Sequence, residues 1–179
     1  EDENMIRVFR EGKDLHAATA ANIYKKAIED VTRDERTKSK RANFGIIYGI
    51  TVFGLAERLD ISRDEAKRLI DGYFETFPQV HDYMEKSKQV AREKGYVTTL
   101  FGRRRYLPDI NSHNATVRGF AERNAINAPI QGTAADIIKI AMIRISNRFK
   151  REGIRSKMIL QVHDELNFSV YSEEKEQGE

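Results

Sequence analysis

The sequence predicts a mainly α-helical chain with small β hairpins, and three observations lead there. Apolar residues recur at helical spacing behind capping residues over most of the 179 positions, only three prolines interrupt them, and runs rich in β-branched and aromatic residues are confined to two short stretches. The first helical stretch, Asp14 to Ala27, is rich in alanine, with Asp14 placed to cap it. The next starts at Thr32, where Thr32-x-x-Glu35 reads as a capping box, and stops at Gly49. A second box, Ser62-x-x-Glu65, precedes Ala66, Leu69, Ile70, Tyr73 and Phe74, and the helix ends near Phe77-Pro78. Val80 to Lys94 comes next, closed by Gly95. The period then changes: Tyr96 to Leu100 and Arg103 to Leu107 flank Gly102, a hairpin pattern. Helical spacing returns from Ser112 to Arg151, with Pro129 expected to break or kink it because proline removes a backbone donor. Two short strands, Lys157 to Val162 and Leu166 to Val170, complete the pattern across His163-Asp164-Glu165.

Composition narrows the classes. With no cysteine there is no disulfide framework, thiolate nucleophile, zinc finger or iron–sulfur cluster, which fits a reducing compartment. No apolar run approaches the roughly 20 residues that span a bilayer. The chain opens on Glu1-Asp2-Glu3-Asn4 without a methionine, as expected of an excerpt from a longer protein. Against 28 acidic residues stand 31 basic ones, a net +3, but Ser172 to Glu179 alone carries four Glu and one Lys, leaving +6 on the rest. The basic residues cluster at Arg33 to Arg41, Arg103-Arg104-Arg105 and Arg144 to Lys157. A polyanion partner needs such clusters, although solvated helix faces produce them too.

Three constellations carry chemistry. Arg36, Lys40, Phe44 and Tyr48 are spaced by four, so each side chain drifts only about 40° around a helix and all four share one stripe. The rise from Arg36 to Phe44 is about 12 Å, comparable with a triphosphate plus sugar, and the cations lie toward the helix N-terminus, which favours anions. The structural alternative makes Phe44, Ile47 and Tyr48 core contacts and the cations surface residues. Arg123, Asn127 and Gln131 repeat the spacing with multi-donor groups suited to minor-groove acceptors, unless they merely bond a kinked helix. Gln161-Val162-His163-Asp164-Glu165 sets two carboxylates at a strand end, where hard cations such as magnesium find oxygen ligands. Two-metal phosphoryl transfer needs carboxylates from separate segments, and no second segment offers them, so this site looks half built.

Arg36-x3-Lys40-x3-Phe44-x3-Tyr48-Gly49 resembles the motif B helix of family A DNA polymerases, and Gln161-Val-His163-Asp164-Glu165 resembles their motif C. Between them, Thr99-Leu-Phe-Gly-Arg-Arg-Arg-Tyr-Leu-Pro108 and Asn127-Ala-Pro-Ile-Gln-Gly-Thr-Ala-Ala-Asp136 are similar to the intervening segments of the bacterial polymerase I group, in the same order. The stretch from Asp2 to His16 is similar to the segment directly after motif A in that family, so the resemblance covers essentially the whole chain.

The resemblance implies a fingers subdomain with an incomplete palm: 14–153 as mainly helical fingers and adjoining helices, 154–171 as the palm hairpin with motif C, and 172–179 as an acidic tail starting the next palm segment. Arg36 and Lys40 would bind the incoming deoxynucleoside triphosphate, with Lys40 also a proton donor to pyrophosphate, and His16 would assist at the phosphates. Phe44 would pack on the sugar, where Phe instead of Tyr is associated in this family with discrimination against dideoxynucleotides. Tyr48 would lie at the templating-base pocket. Arg105, Arg123, Asn127, Gln131 and His163 match positions along the DNA primer–template. Asp164 would ligate Mg2+, with Glu165 a nearby carboxylate. Motif A is not in the sequence and would precede Glu1, so the chain alone is expected to be inactive, while its parent would copy DNA in a bacterial cytoplasm. The unneighboured C-terminal strands are expected to be disordered or to pair with a second copy. The rival readings are a self-contained helical nucleic-acid-binding module and a small metal-dependent phosphohydrolase using His163, Asp164 and Glu165.

Overall fold

In the computed structural model, residues 2–177 are described, and the last two residues of the expected acidic tail, Gly178 and Glu179, lie outside them together with Glu1. The chain divides into two compact units, one of residues 1–98 and 104–129, the other of residues 99–103 and 130–179.

The first unit is helical for reasons visible residue by residue. Helix α1 (Glu3–Arg10) starts where the Asp2 carboxylate accepts from Met5 N–H, and the other oxygen of that carboxylate accepts from Gln79 N–H at 3.0 Å. Helix α2 (Leu15–Tyr24) is capped by Asp14, as the sequence predicts, and α3 (Arg33–Ile47) by the complete Thr32/Glu35 capping box. A short helix that the sequence pattern did not disclose, α4 (Val52–Leu59), is capped by Thr51 and ends at Asp60 in a left-handed conformation. Helix α5 (Arg63–Thr76) starts at the Ser62 cap, and α6 (Pro78–Lys94) begins on proline at its first turn, where the missing N–H would be unpaired in any case, and ends at Gly95.

These helices close over a core of Ala42, Ile46, Leu55, Ala56, Ala66, Leu69, Tyr73 and Phe77, in which the two rings of Tyr73 and Phe77 meet edge to face. Complete burial of a side chain such as Leu69 contributes about 1.5–3 kcal/mol. Helix α2 packs on α3 and α5, and the approach to α5 is so close that a Cβ on Gly72 would lie 2.6 Å from Ile23 Cγ1. A second cluster, Ala91, Val97, Leu107, Ile110, Ala121 and Ala125, joins α6 to the antiparallel hairpin of β1 (Tyr96–Thr98) and β2 (Arg104–Tyr106) and to the first part of α7 (Ala115–Glu152).

Helix α7 begins where Asn114, two residues beyond the expected Ser112, accepts from Thr116 and Val117 N–H. It continues through Pro129 without a break, which corrects one of the two outcomes expected of that proline. A proline inside a helix removes one donor and crowds the carbonyl one turn back, a cost of about 3 kcal/mol that a helix of 38 residues carries without ending. In the second unit, β3 (Lys157–Val162) and β4 (Glu165–Ser169) form an antiparallel hairpin with an irregularity between Met158 and Leu160.

Of the two outcomes expected for these strands, disorder is not what is seen: the hairpin is formed within the chain, and its base is clasped. Glu174, from the acidic tail, accepts from Ser156 Oγ at 2.6 Å, Ser156 N at 2.8 Å and Arg155 N at 3.0 Å. Those bonds, Ser156 foremost, hold the Glu174 carboxyl down at about 2. The tail is therefore a structural tie at Glu174.

Candidate functional site

Helix α3 separates its faces cleanly. Ser39, Ala42, Asn43 and Ile46 are buried, whereas Lys40 is exposed and Phe44 and Tyr48 keep 50% and 51% of their surface in solvent. The alternative in which Phe44 and Tyr48 are core residues therefore fails, and Ala42 and Ile46 fill the core from this helix instead. The first turn of α2 lies alongside. His16 sits with its ring 5.7 Å from that of Phe44, and its Nδ1 is 3.2 Å from Asn43 Nδ2. Burial lowers the His16 pKa; Asp14 opposes this, while the cations Arg36 and Lys40 add to it. His16, Arg36, Lys40 and Phe44 thus form one group on the first unit.

The two cations differ. Arg36 donates Nε and Nη2 to Asp14 Oδ2 at 2.9 and 2.5 Å, while Asp14 Oδ1 caps α2 through His16 N and Ala17 N. Burial pushes the Asp14 carboxyl up, but the bonds from Ala17, Arg36 and His16 together outweigh it and leave its pKa lowered. The Lys40 ammonium has no hydrogen bond or ion pair among the described residues. Asp14 as the partner of Arg36 is the residue that sequence reasoning missed, because 22 positions separate the two and Asp14 was already explained as a cap.

Tyr48 caps the C-terminus of α3, and Gly49 comes next with φ +74°, the left-handed region that favours glycine. A Cβ on Gly49 would lie 2.9 Å from Arg123 Cγ, so the stem of Arg123 crosses the α3–α4 turn. The side chains of Arg123 and Asn127 make no hydrogen bond among the described residues, and neither does that of Gln131 in the second unit. The alternative in which these groups are consumed by bonding within the helix is not what the structure displays. Arg105 lies on β2 opposite Val97, with its side chain exposed.

In the second unit, the β3–β4 turn is the two residues His163-Asp164, with His163 at φ +52° and its carbonyl accepting from Gln161 Nε2 at 2.7 Å. A cleft of about 580 Å3 separates this turn from α7, and Gln131, Lys139, Gln161, His163 and Asp164 line it together with the apolar Ala134, Ala135 and Ile138. Glu165, the first residue of β4, does not line it, because successive strand residues face opposite ways. Among the described residues, no three His, Cys, Asp or Glu side chains gather as a metal would require, so Asp164 supplies at most part of a coordination shell.

The loop 99–103 is also fixed on this unit. Arg103 Nε donates to Asp136 Oδ1 at 2.8 Å and Arg103 Nη2 to the Gly132 carbonyl, while Leu100 N donates to Thr133 Oγ1. Thr99 and Arg103 hold the Asp136 carboxyl below the usual range.

Known proteins resemble the chain over its whole length. The family model for DNA polymerase family A matches residues 1–179. The chain belongs to that family. It is 53% identical over 174 residues to DNA polymerase I of Geobacillus stearothermophilus, a match that covers 97% of this chain and 20% of that protein. It is 54% identical over 170 residues to DNA polymerase I of Streptococcus pneumoniae serotype 4, covering 94% of this chain and 19% of that one. Among solved structures, the POL domain of Pol1 from M. smegmatis, in complex with a DNA primer-template and dNTP, superposes with a TM-score of 0.88 at 45% identity, covering 98% of this chain and 31% of that one. The chain spans about a fifth of the length of these polymerase relatives.

Proposed function

We propose that this chain is the part of a DNA-directed DNA polymerase that takes up the incoming deoxynucleoside triphosphate and guides the primer–template. The observation that carries the proposal is the outward stripe of α3, where Lys40 and the half-exposed Phe44 and Tyr48 run beside His16 and Arg36 while the opposite face is buried. Lys40 and Arg36 bind the triphosphate, His16 donates to it, and Phe44 packs on the sugar. Tyr48 stands where the helix ends, at the templating base. Arg123, Asn127 and Gln131, whose donors are unspent among the described residues, and Arg105 and His163 contact the duplex, with minor-groove acceptors as the natural partners of the first three.

Asp164 fits a Mg2+ ion by its donor type and by facing the cleft, with Glu165 near it. Such an ion supplies charge neutralisation at the transferring phosphoryl group. On this reading Asp164 needs further carboxylates to hold two ions, so the isolated chain is inactive in synthesis and its bacterial, cytoplasmic parent is the enzyme.

The test is direct. The purified 179-residue chain, given Mg2+, primer–template and deoxynucleoside triphosphates, is expected to yield no extended primer but to bind a fluorescent triphosphate, and Lys40→Ala should weaken that binding. Template-dependent extension by the chain alone would overturn its inactivity. DNA binding with no response to triphosphates would instead favour the helical nucleic-acid-binding module.

A further inference from the structure

Thr19, Asn43 and His16 form a hydrogen-bonded relay behind the triphosphate face, and its polarity is fixed from the buried end. Thr19 is wholly buried, and its Oγ1 donates its one hydrogen to the Leu15 carbonyl at 2.7 Å. Oγ1 can then only accept, so the group of Asn43 that lies 3.0 Å away must be the amide nitrogen. That same nitrogen carries a second hydrogen and lies 3.2 Å from His16 Nδ1. Asn43 Oδ1 is left buried without a partner among the described residues, a loss consistent with the amide being oriented by its two donors.

We propose that Asn43 is a positioning residue that sets the tautomer of His16: by offering an N–H to Nδ1 it keeps that nitrogen unprotonated, so that the ring hydrogen sits on Nε2 and is donated outward by a neutral imidazole. This rests on the proposed role of His16 at the triphosphate and deepens it. A protonated ring would set Nδ1–H against the amide hydrogen of Asn43, so the relay also opposes the imidazolium. The charged groups facing the ring are Asp14 from the cap of α2, which favours the cation, and Arg36 and Lys40 from α3, which oppose it together with burial. A neutral donor gives constant triphosphate affinity across neutral pH, whereas a titrating one would not.

The experiment uses the whole polymerase that carries this segment. Thr19→Val replaces the hydroxyl by a methyl of similar size at a wholly buried position. Without an acceptor to satisfy, the Asn43 amide is free to turn Oδ1 toward Nδ1 and stabilise Nδ1–H. His16 then binds triphosphate as a cation at low pH and loses its outward donor when neutral at high pH. The KM for the incoming triphosphate should rise about fivefold between pH 6 and pH 8, the scale of one net hydrogen bond, with kcat changing little, while the unsubstituted enzyme stays flat. The rise should vanish in Thr19→Val combined with His16→Gln. Asn43→Leu, which removes the amide, should likewise introduce a pH-dependent KM. If Thr19→Val and Asn43→Leu both fold, as thermal unfolding reports, and change KM equally at every pH or change kcat alone, the tautomer assignment is overturned and His16 is reduced to a contact of unspecified tautomer. If His16→Gln by itself leaves KM unchanged at every pH, the nucleotide role of His16 fails, and the relay's function fails with it.

Discussion

Lys40 and Arg36 share a stripe, yet the surroundings assign them different freedom. Arg36 begins in a two-donor ion pair with Asp14 and must leave it to reach a phosphate, whereas Lys40 is exposed and unpaired among the described residues. A cation aimed at charge that develops in the transition state is worth more to rate than to binding, so in the whole polymerase Lys40→Ala should lower single-turnover incorporation by about 10²-fold. Phe44 has a complementary role. The residue keeps half its surface in solvent and is not part of the buried core, so Phe44→Tyr should leave normal synthesis nearly intact while raising dideoxynucleotide incorporation. An unchanged ratio of dideoxy to deoxy incorporation in the Tyr variant would remove the assigned sugar contact. At this scale the sequence already located the stripe, because period-four spacing survives any detail of packing. It could not tell that Asp14 holds Arg36 or that Asn43 faces His16, since those contacts join α2 to α3 and depend on how two helices meet.

Long helices with a repeating apolar pattern were legible, and the eight-residue helices α1 and α4 were not, although each carries a side-chain cap. The Thr32/Glu35 box and Asp14 marked α3 and α2 because a side chain that satisfies free N–H groups leaves a local signature. Helix α4 is only eight residues long, so its apolar stripe is too short to establish a period, although the Thr51 cap was there to be read. Pro129 misled by its local chemistry, because a local cost of about 3 kcal/mol does not end a helix of 38 residues. The turn from α3 to α4 shows how an element boundary reaches the site: Gly49 combines a positive φ with the passage of Arg123 over it. Gly49→Ala should cost about 1–2 kcal/mol from the backbone alone and displace Arg123 besides. Thermal unfolding of the variant should show the loss, and a chain that keeps its full Tm would mean that the turn relaxes to a negative φ. The effect on DNA binding should resemble that of Arg123→Ala.

For the whole molecule, the ionised groups that tie segments together set how it responds to acid. Glu35, held first by Lys26 and then by the Thr32 backbone, titrates at about 2, as does Glu174 in its clasp on Ser156 and Arg155. Both carboxyls would titrate near 4.5 in the unfolded chain, so below that value the unfolded state binds more protons than the folded one and stability falls with pH. Asp14 shifts in the same direction. His16 adds to the trend, since its folded pKa is lowered from 6.5 and the unfolded chain takes up that proton first as pH drops. Stability should therefore be fully present near pH 7, begin to decline below about 6.5, and fall most steeply from 4.5 toward 2, where the two Glu ties are lost. The clasp can be separated from the rest by Glu174→Gln, which retains the shape but not the charge. Amide hydrogen exchange at pH 7 should then be faster in β3 and β4 while α2, α3 and α5 keep their protection, because the side-chain partners of Glu174 among the described residues are Arg155 and Ser156 at the base of the hairpin. In acid, the same variant should lose less stability between pH 4.5 and 2 than the unsubstituted chain, having one fewer depressed carboxyl to protonate. An identical acid-unfolding curve would mean that Glu174 is not ionised in its clasp, and the tail would then hold the hairpin by packing alone.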